Sequence, residues 1–163
     1  MTGITGPTAR VRDAAESFGL SVTIRTMPES TRTAEEAAAA CGCSVGAIVK
    51  SLVFRTRDGH RPVLLLVSGA NRVDEAHVGA AVGAAIERPN AAFVRETTGF
   101  AIGGIPPLGH ATQIATWIDQ DLLAYATVWA AAGTPNAVFA VDPKALATAI
   151  GASVITMAEA RPA

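Results

Sequence analysis

The sequence predicts an α+β fold in which a curved, mixed and mostly antiparallel sheet is flanked by helices. Helical and β patterns alternate along all 163 residues, and an Asp58-Gly59 turn separates two apolar β segments. Three further β segments follow a loop rich in glycine and proline. Half of the residues are hydrophobic, which is enough for a sizeable core, so we expect residues 1–163 to form one domain.

The first third of the chain predicts a helix, a short strand and a second helix. Apolar residues recur at helical spacing over residues 9–18, and residues 21–25 have a β pattern. Thr33 followed by Glu36 has the form of a capping box ahead of the segment AEEAAAAC. Gly42 is then placed to end the second helix.

The next segment predicts a β-hairpin with a lysine on an apolar face. Residues 50–55 and 62–68 have β patterns on either side of the Asp58-Gly59 turn, so they are expected to pair antiparallel. Alternation places Lys50, Leu52 and Phe54 on one face of the first strand. A lysine in that position either extends to water or meets an anion.

The second half predicts short helices, strands and one better defined helix. The short helices cover residues 74–82 and 89–96, and the strands cover residues 112–118, 126–131, 137–141 and 153–155. Asp142 followed by Pro143 supplies an N-cap and a first helical position for a helix over residues 143–150.

Composition excludes several classes of function. The formal net charge is −1 with 17% charged residues, so no polybasic tail is present. The two cysteines, Cys41 and Cys43, cannot build a disulfide framework or a four-ligand zinc site. Phosphate-loop, dinucleotide, HExxH and GxSxG motifs are missing. We therefore expect a cytoplasmic protein without cofactor or metal and without a membrane segment.

The loop GGIPPLGH at residues 103–110 is too rich in glycine and proline for a helix or strand. Such a stiff loop is either a structural corner or a wall that holds backbone groups against a ligand. His110 could serve as a base or ligand contact, or hydrogen-bond to the loop. Asp119, after a predicted strand, could orient Lys50 or His110, or cap the strand end.

Six segments of the chain form a recognisable set: AIVKSLVF (47–54), LLVSGANRVD (65–74), TGFAIGGIPPLGH (98–110) and TWIDQDLL (116–123), with STRTAEEAA (30–38) and WAAAGTPNAVF (129–139). In this order they resemble the YbaK-like family, which comprises free-standing relatives of the editing domain inserted in bacterial prolyl-tRNA synthetases. The similarity runs from about residue 20 to 155. It implies a barrel-like mixed sheet and hydrolysis of the ester that joins a wrong amino acid to tRNA.

The resemblance also implies a set of site residues. Lys50 would lie at the active pocket, near the terminal adenosine and its phosphate or carbonyl region, and the glycine-proline loop would form the pocket wall. The implied catalytic residues are Lys50, Gly103, Gly104, Ile105 and His110. The implied substrate-binding residues are Thr31, Arg32, Ser68, Gly69, Asn71, Pro106, Pro107 and Asp119.

Two functions from different classes remain open on the sequence. The first is a trans-editing aminoacyl-tRNA deacylase acting on small esters of the Ala, Cys, Ser or Thr type. Its partner is the acceptor end of a charged tRNA, with a synthetase as a further candidate, and neither DNA nor a membrane is expected. The second is a non-catalytic module that binds aminoacyl-tRNA, an amino-acid-like metabolite or a synthetase.

Overall fold

The computed structural model describes residues 6–158, which contain five α-helices and eight β-strands. The helices are α1 (Gly6–Ser17), α2 (Ala34–Cys41), α3 (Glu75–Val82), α4 (Ala91–Thr98) and α5 (Pro143–Ile150). The strands are β1 (Ile24–Thr26), β2 (Ile48–Thr56), β3 (Pro62–Ser68), β4 (Ile86–Glu87), β5 (Ala115–Asp119), β6 (Val128–Ala131), β7 (Ala137–Val141) and β8 (Ser153–Ile155). Single 3₁₀ turns cover Val45–Ala47 and Gln120–Ala124.

All eight strands belong to one mixed sheet, in the order β1-β7-β6-β2-β3-β5-β8, with β4 attached to β2. The pairs β1–β7, β2–β3, β2–β4 and β6–β7 are antiparallel, while β2–β6, β3–β5 and β5–β8 are parallel. The predicted α+β class, with a mixed and mostly antiparallel sheet between helices, is therefore confirmed. Strand β2 has three neighbours, and this determines where the cavity lies.

Helices cover both faces of the sheet because β3 is apolar on both sides. Leu64 and Leu66 belong to a cluster that includes residues of α1, α4 and α5. Val63, Leu65 and Val67 belong to a second cluster, which includes Val78 of α3 and Ile86 of β4. A near-continuous apolar run in a central strand is typical of burial on both faces.

Helix ends follow the capping chemistry that the sequence predicts. Thr33 forms a complete capping box with Glu36, and Gly42 ends α2 in the left-handed conformation. Asp142 accepts hydrogen bonds from the backbone of Lys144 and Ala145 at the start of α5. The predicted hairpin, the second helix and the last helix are confirmed.

Strand boundaries differ from the prediction where tertiary contacts override local pattern. The first strand begins at Ile24, not at residue 21, since it is defined by pairing with β7. Strand β5 begins at Ala115 because the backbone of Thr112 donates to Thr97 rather than to the sheet. The two-residue strand β4 was not predicted, because so short a segment has no periodicity.

Within residues 6–158, no helix is long and apolar enough to cross a membrane. The same residues contain no group of three or more His, Cys, Asp or Glu side chains placed to hold a metal ion.

Candidate active site

A cavity of about 540 Å³ lies at the edge of β2. Residues 48–54 of β2 all line it, although successive side chains of a strand point to opposite faces. The cavity therefore lies beside the strand rather than over one of its faces. Its volume is within the usual range for sites that bind small ligands.

The walls of the cavity combine an apolar surface with charged residues. The apolar part includes Val49, Val53, Val94, Ile105, Trp129, Ala130 and Val138. Cationic side chains come from Arg32, Lys50 and Arg88, and among the described lining residues Glu35 is the one acid. A small uncharged side chain and a nearby anion would both find complementary surroundings here.

Lys50 is half-buried beside Leu52, and its ammonium donates to a backbone carbonyl. The Nζ atom lies 2.5 Å from the carbonyl oxygen of Asn71. Burial lowers the pKa of Lys50, while Glu35 opposes the shift and Arg72 adds to it. The ammonium is thus held in place by a neutral acceptor, so this bond leaves it available for a further anionic or carbonyl contact.

Asp119 organises the residues behind Lys50. Its carboxylate is buried and accepts from the Ser68 amide at 3.0 Å and from Nδ2 of Asn71 at 2.9 Å. It also accepts from the Asp121 amide at 3.0 Å, which caps the following 3₁₀ turn. Asp121 accepts from the same Nδ2 of Asn71 at 2.8 Å, so the two aspartates together hold Asn71, whose carbonyl in turn accepts from Lys50.

The first half of the glycine-proline loop faces the cavity. Gly103, Gly104 and Ile105 line it, and among the described residues their N–H groups donate no hydrogen bond. Gly103 has φ +105°, which favours glycine, and Arg32 packs against it. Gly104 is buried against the backbone of Thr134. A Cβ atom added at Gly104 would lie 2.7 Å from the carbonyl carbon of Thr134.

The second half of the loop is a buried corner. Pro106, Pro107 and Leu108 are buried, and none of them lines the cavity. Nε2 of His110 lies 2.8 Å from the Pro106 carbonyl, so this nitrogen carries the proton and donates. Burial lowers the pKa of His110, against the effect of this hydrogen bond. The first half of the loop therefore forms part of the cavity wall, and the second half is a structural corner.

The structure places the thirteen candidate residues in three groups. Those lining the cavity are Lys50, Gly103, Gly104, Ile105, Thr31, Arg32 and Gly69. Ser68, Asn71 and Asp119 form the network behind Lys50. Pro106, Pro107 and His110 lie behind the loop, so a direct catalytic contact for His110 has no support in this geometry.

Several lining residues were not singled out from the sequence. Arg88 follows the unpredicted strand β4, so no local pattern marked it. Ile102 and Trp129 both lie inside segments that carry the family resemblance. Nothing in the sequence of those segments shows which residues line a cavity. The cysteines do not line the cavity, and burial raises the pKa of Cys41 to about 11, which disfavours the nucleophilic thiolate.

Comparison with known families decides the relationship. A family model described as an aminoacyl-tRNA editing domain matches residues 28–160. The chain belongs to the aminoacyl-tRNA editing domain family. The match covers the cavity-lining segments, including Lys50 and the glycine-proline loop, and it confirms the YbaK-like resemblance.

Two solved structures and one protein sequence illustrate what this chain is similar to. One solved structure, described as a "putative trans-editing enzyme for prolyl tRNA synthetase", is 45% identical with a TM-score of 0.89, covering 97% of this chain and all of that one. A scaffold protein for computational epitope backbone grafting is 42% identical with a TM-score of 0.88, covering 96% of this chain and 100% of that chain. The protein YwhH of Bacillus subtilis (strain 168), itself uncharacterized, is 32% identical over 117 residues, 72% of this chain and 74% of its own.

Proposed function

We propose that the protein is a trans-acting aminoacyl-tRNA deacylase, which hydrolyses the ester between tRNA and a mismatched small amino acid. The observation that carries the proposal is that residues 103–105 line the same cavity as Lys50 while their N–H groups donate to no acceptor within residues 6–158. Membership of the editing-domain family and the description of the 45% identical relative support the same role.

The proposed chemistry is addition of water to an ester that is already activated. Water attacks the carbonyl carbon, and the N–H dipoles of the loop stabilise the oxyanion that forms. The bond to the ribose oxygen then breaks, that oxygen takes up a proton, and free amino acid and tRNA leave. This route requires no nucleophilic side chain, which agrees with a cavity whose described lining residues include neither histidine nor cysteine.

Cations at the cavity would engage the acceptor end of the tRNA. Lys50 would contact the terminal adenosine at its phosphate or the ester carbonyl, and Arg32 and Arg88 would contact neighbouring phosphates. Contacts of this kind weaken as salt concentration rises, because counterions compete for the phosphates.

The amino-acid side chain would lie against the apolar wall. Val53, Ile105 and Val138 are among the uncharged apolar residues that line the cavity, and they suit side chains of the Ala, Cys, Ser or Thr type. A synthetase gains only about 1–3 kcal/mol from one methylene, so small misfits are charged and require a second sieve.

The direct experiment is deacylation of tRNAs charged with Ala, Cys, Ser, Thr and Pro, by the wild type, Lys50→Ala and Arg61→Ala. We expect turnover of one or two esters and a loss of at least about 10²-fold in Lys50→Ala. Arg61 is exposed on the hairpin and does not line the cavity, so its variant controls for general loss of positive charge. Retained turnover in Lys50→Ala together with a large fall in Tm would show that Lys50 is structural.

A non-catalytic binding module is the second candidate, and the near-neutral charge favours it. A free-standing tRNA-binding protein usually carries a stronger basic surface than a net charge of −1 provides. Measuring tRNA binding against salt concentration separates the two. Absence of tRNA binding at low salt would favour the module, unless a synthetase supplies the tRNA contact.

A further inference from the structure

The edge of β2 that faces the cavity is only partly occupied by neighbouring strands. Strand β6 pairs with it at Ile48 and Val49, and β4 pairs with it at Arg55 and Thr56. Residues 50–54 lie between these two ladders and, within the described chain, have no strand neighbour on that edge. The other edge pairs with β3 throughout.

The register shows which main-chain groups face the gap. The Gly69 amide donates to the Ile48 carbonyl at 2.8 Å, and the Thr56 amide donates to the Arg61 carbonyl at 2.9 Å. Both β2 residues in these bonds are even-numbered, so the even-numbered residues of β2 direct their main-chain groups towards β3. In an antiparallel ladder both main-chain groups of a residue point to one edge, and successive residues alternate. The N–H and C=O groups of Ser51 and Val53 therefore face the open edge.

The two described segments that flank the gap do not close it. Continuing the register of β4 would place Pro89 opposite Val53, and proline has no N–H to donate. After β6 the chain turns away, and the Gly133 amide donates instead to the Gly104 carbonyl at 2.9 Å. The Ser51 hydroxyl is also buried without a hydrogen-bond partner among the described residues. Unpaired polar groups in such a place point to a ligand.

We propose that this free edge is the amino-acid subsite, in which the main-chain carbonyl of Ser51 accepts a hydrogen bond from the α-ammonium group of the aminoacyl ester. The flanking N–H groups of Ser51 and Val53 are available to the ester carbonyl. The inference rests on the proposed deacylase function and adds the means by which the amino acid is recognised.

The dimensions of the edge fit one amino-acid unit. Ser51 and Val53 are two residues apart, which is about 7 Å along a strand, so the gap is too short for a peptide strand. An amino acid presents a donor at its nitrogen and an acceptor at its carbonyl, and a neighbouring strand residue would present the same pair. Because these contacts involve main chain alone, they recognise any α-amino acid and leave selection to the apolar wall.

The experiment compares each aminoacyl-tRNA with its α-hydroxy analogue, obtained by deamination. The best ester of the panel and its analogue are tested with the wild type, and each rate is divided by the uncatalysed hydrolysis rate of the same ester. A hydrogen bond from a charged donor is roughly twice as strong as a neutral one, so we expect kcat/KM for the aminoacyl ester to be higher by about tenfold or more. Equal normalised values would overturn the subsite while leaving the deacylase intact.

Two variants locate the group that holds the ammonium. Ser51→Ala keeps the main-chain carbonyl and is expected to keep the preference, whereas its loss would assign recognition to the hydroxyl and overturn the proposal. Glu35→Gln neutralises the acid that lines the cavity, and loss of the preference there would assign the ammonium to Glu35 instead. Turnover of neither ester by the wild type would remove both the deacylase and the subsite.

Discussion

At the scale of single residues, the atoms packed against Gly103 and Gly104 explain why glycine occupies both positions. Gly103 needs its positive φ and leaves room for Arg32, whereas Gly104 is held by the nearby Thr134 backbone. Ile105 anchors the same stretch in the main core cluster. The N–H donors of these residues are therefore fixed before any ligand binds, which is the requirement for oxyanion stabilisation.

The variant Gly104→Ala tests this arrangement. Its Cβ atom would lie 2.7–2.9 Å from backbone atoms of Thr134, so the loop must move. We expect a stability loss of about 1–3 kcal/mol from overpacking. We also expect turnover to fall by about 10²-fold, because displacement of about 1 Å can have that effect.

The control for Gly104→Ala is Gly151→Ala at the end of α5. Gly151 has φ +66° and nothing within 4 Å of its added Cβ, so that variant strains only its own backbone. Both variants should lose stability, measured by urea unfolding, but turnover should fall only in Gly104→Ala. Wild-type turnover in Gly104→Ala would argue against a site lined by backbone.

At the scale of elements, hydrogen bonds to the end of β5 hold the segment that follows β3 in place. Asp119 closes β5, while Ser68 and Asn71 belong to the end of β3 and the loop after it. Two parallel strands are thus tied at their carboxyl ends, and the carbonyl partner of Lys50 depends on that tie.

Replacement of Asp119 by alanine should therefore change the titration of Lys50. The negative charge of Asp119 is among the groups that raise the pKa of Lys50, so its removal should lower that pKa further. The alkaline limb of the pH–rate profile, at which the ammonium loses its proton, should shift to lower pH. The buried Ser68 amide, left without its acceptor, should also reduce stability by about 1–3 kcal/mol.

Asp142→Ala is the matched control for Asp119→Ala, because it also removes an aspartate cap, at the start of α5. We expect a comparable loss of stability and an unchanged alkaline limb. An unchanged limb in Asp119→Ala as well would reduce Asp119 to a structural role.

At the scale of the whole molecule, stability should depend on pH through His110. The pKa of His110 in the folded protein is lowered below the usual value of 6.5, chiefly by burial. As pH falls through 6.5 the unfolded chain binds a proton more readily at this histidine than the folded protein does, so the free energy of unfolding falls. Above that pH this contribution to stability is fully present.

His110→Gln should flatten the stability profile as pH falls below 6.5, since glutamine does not titrate and keeps an N–H donor for Pro106. The measurement is urea unfolding across that pH range. If His110→Gln keeps the wild-type slope, another group controls acid stability.

The sequence predicted elements with strong local signals and could not predict features that depend on pairing. The hairpin around Asp58-Gly59 and the capping box of Thr33 are local, so they were found. Strand β4 and the free edge at Ser51 depend on which distant segments pair with β2 and on where that pairing stops. Asp119 was recognised as a candidate, but its bond to Asn71 requires a distance that no pattern contains.

Pro89 has a consequence for how the protein avoids aggregation. A strand with free main-chain groups is ordinarily a template on which another molecule can add a strand. Here the free edge offers the main-chain groups of two residues, Ser51 and Val53, and it is flanked by ladders on both sides, so it is too short for an extended chain to pair with. By stopping β4 where it does, one proline keeps a hydrogen-bonding edge open to small molecules and closed to other copies of the protein.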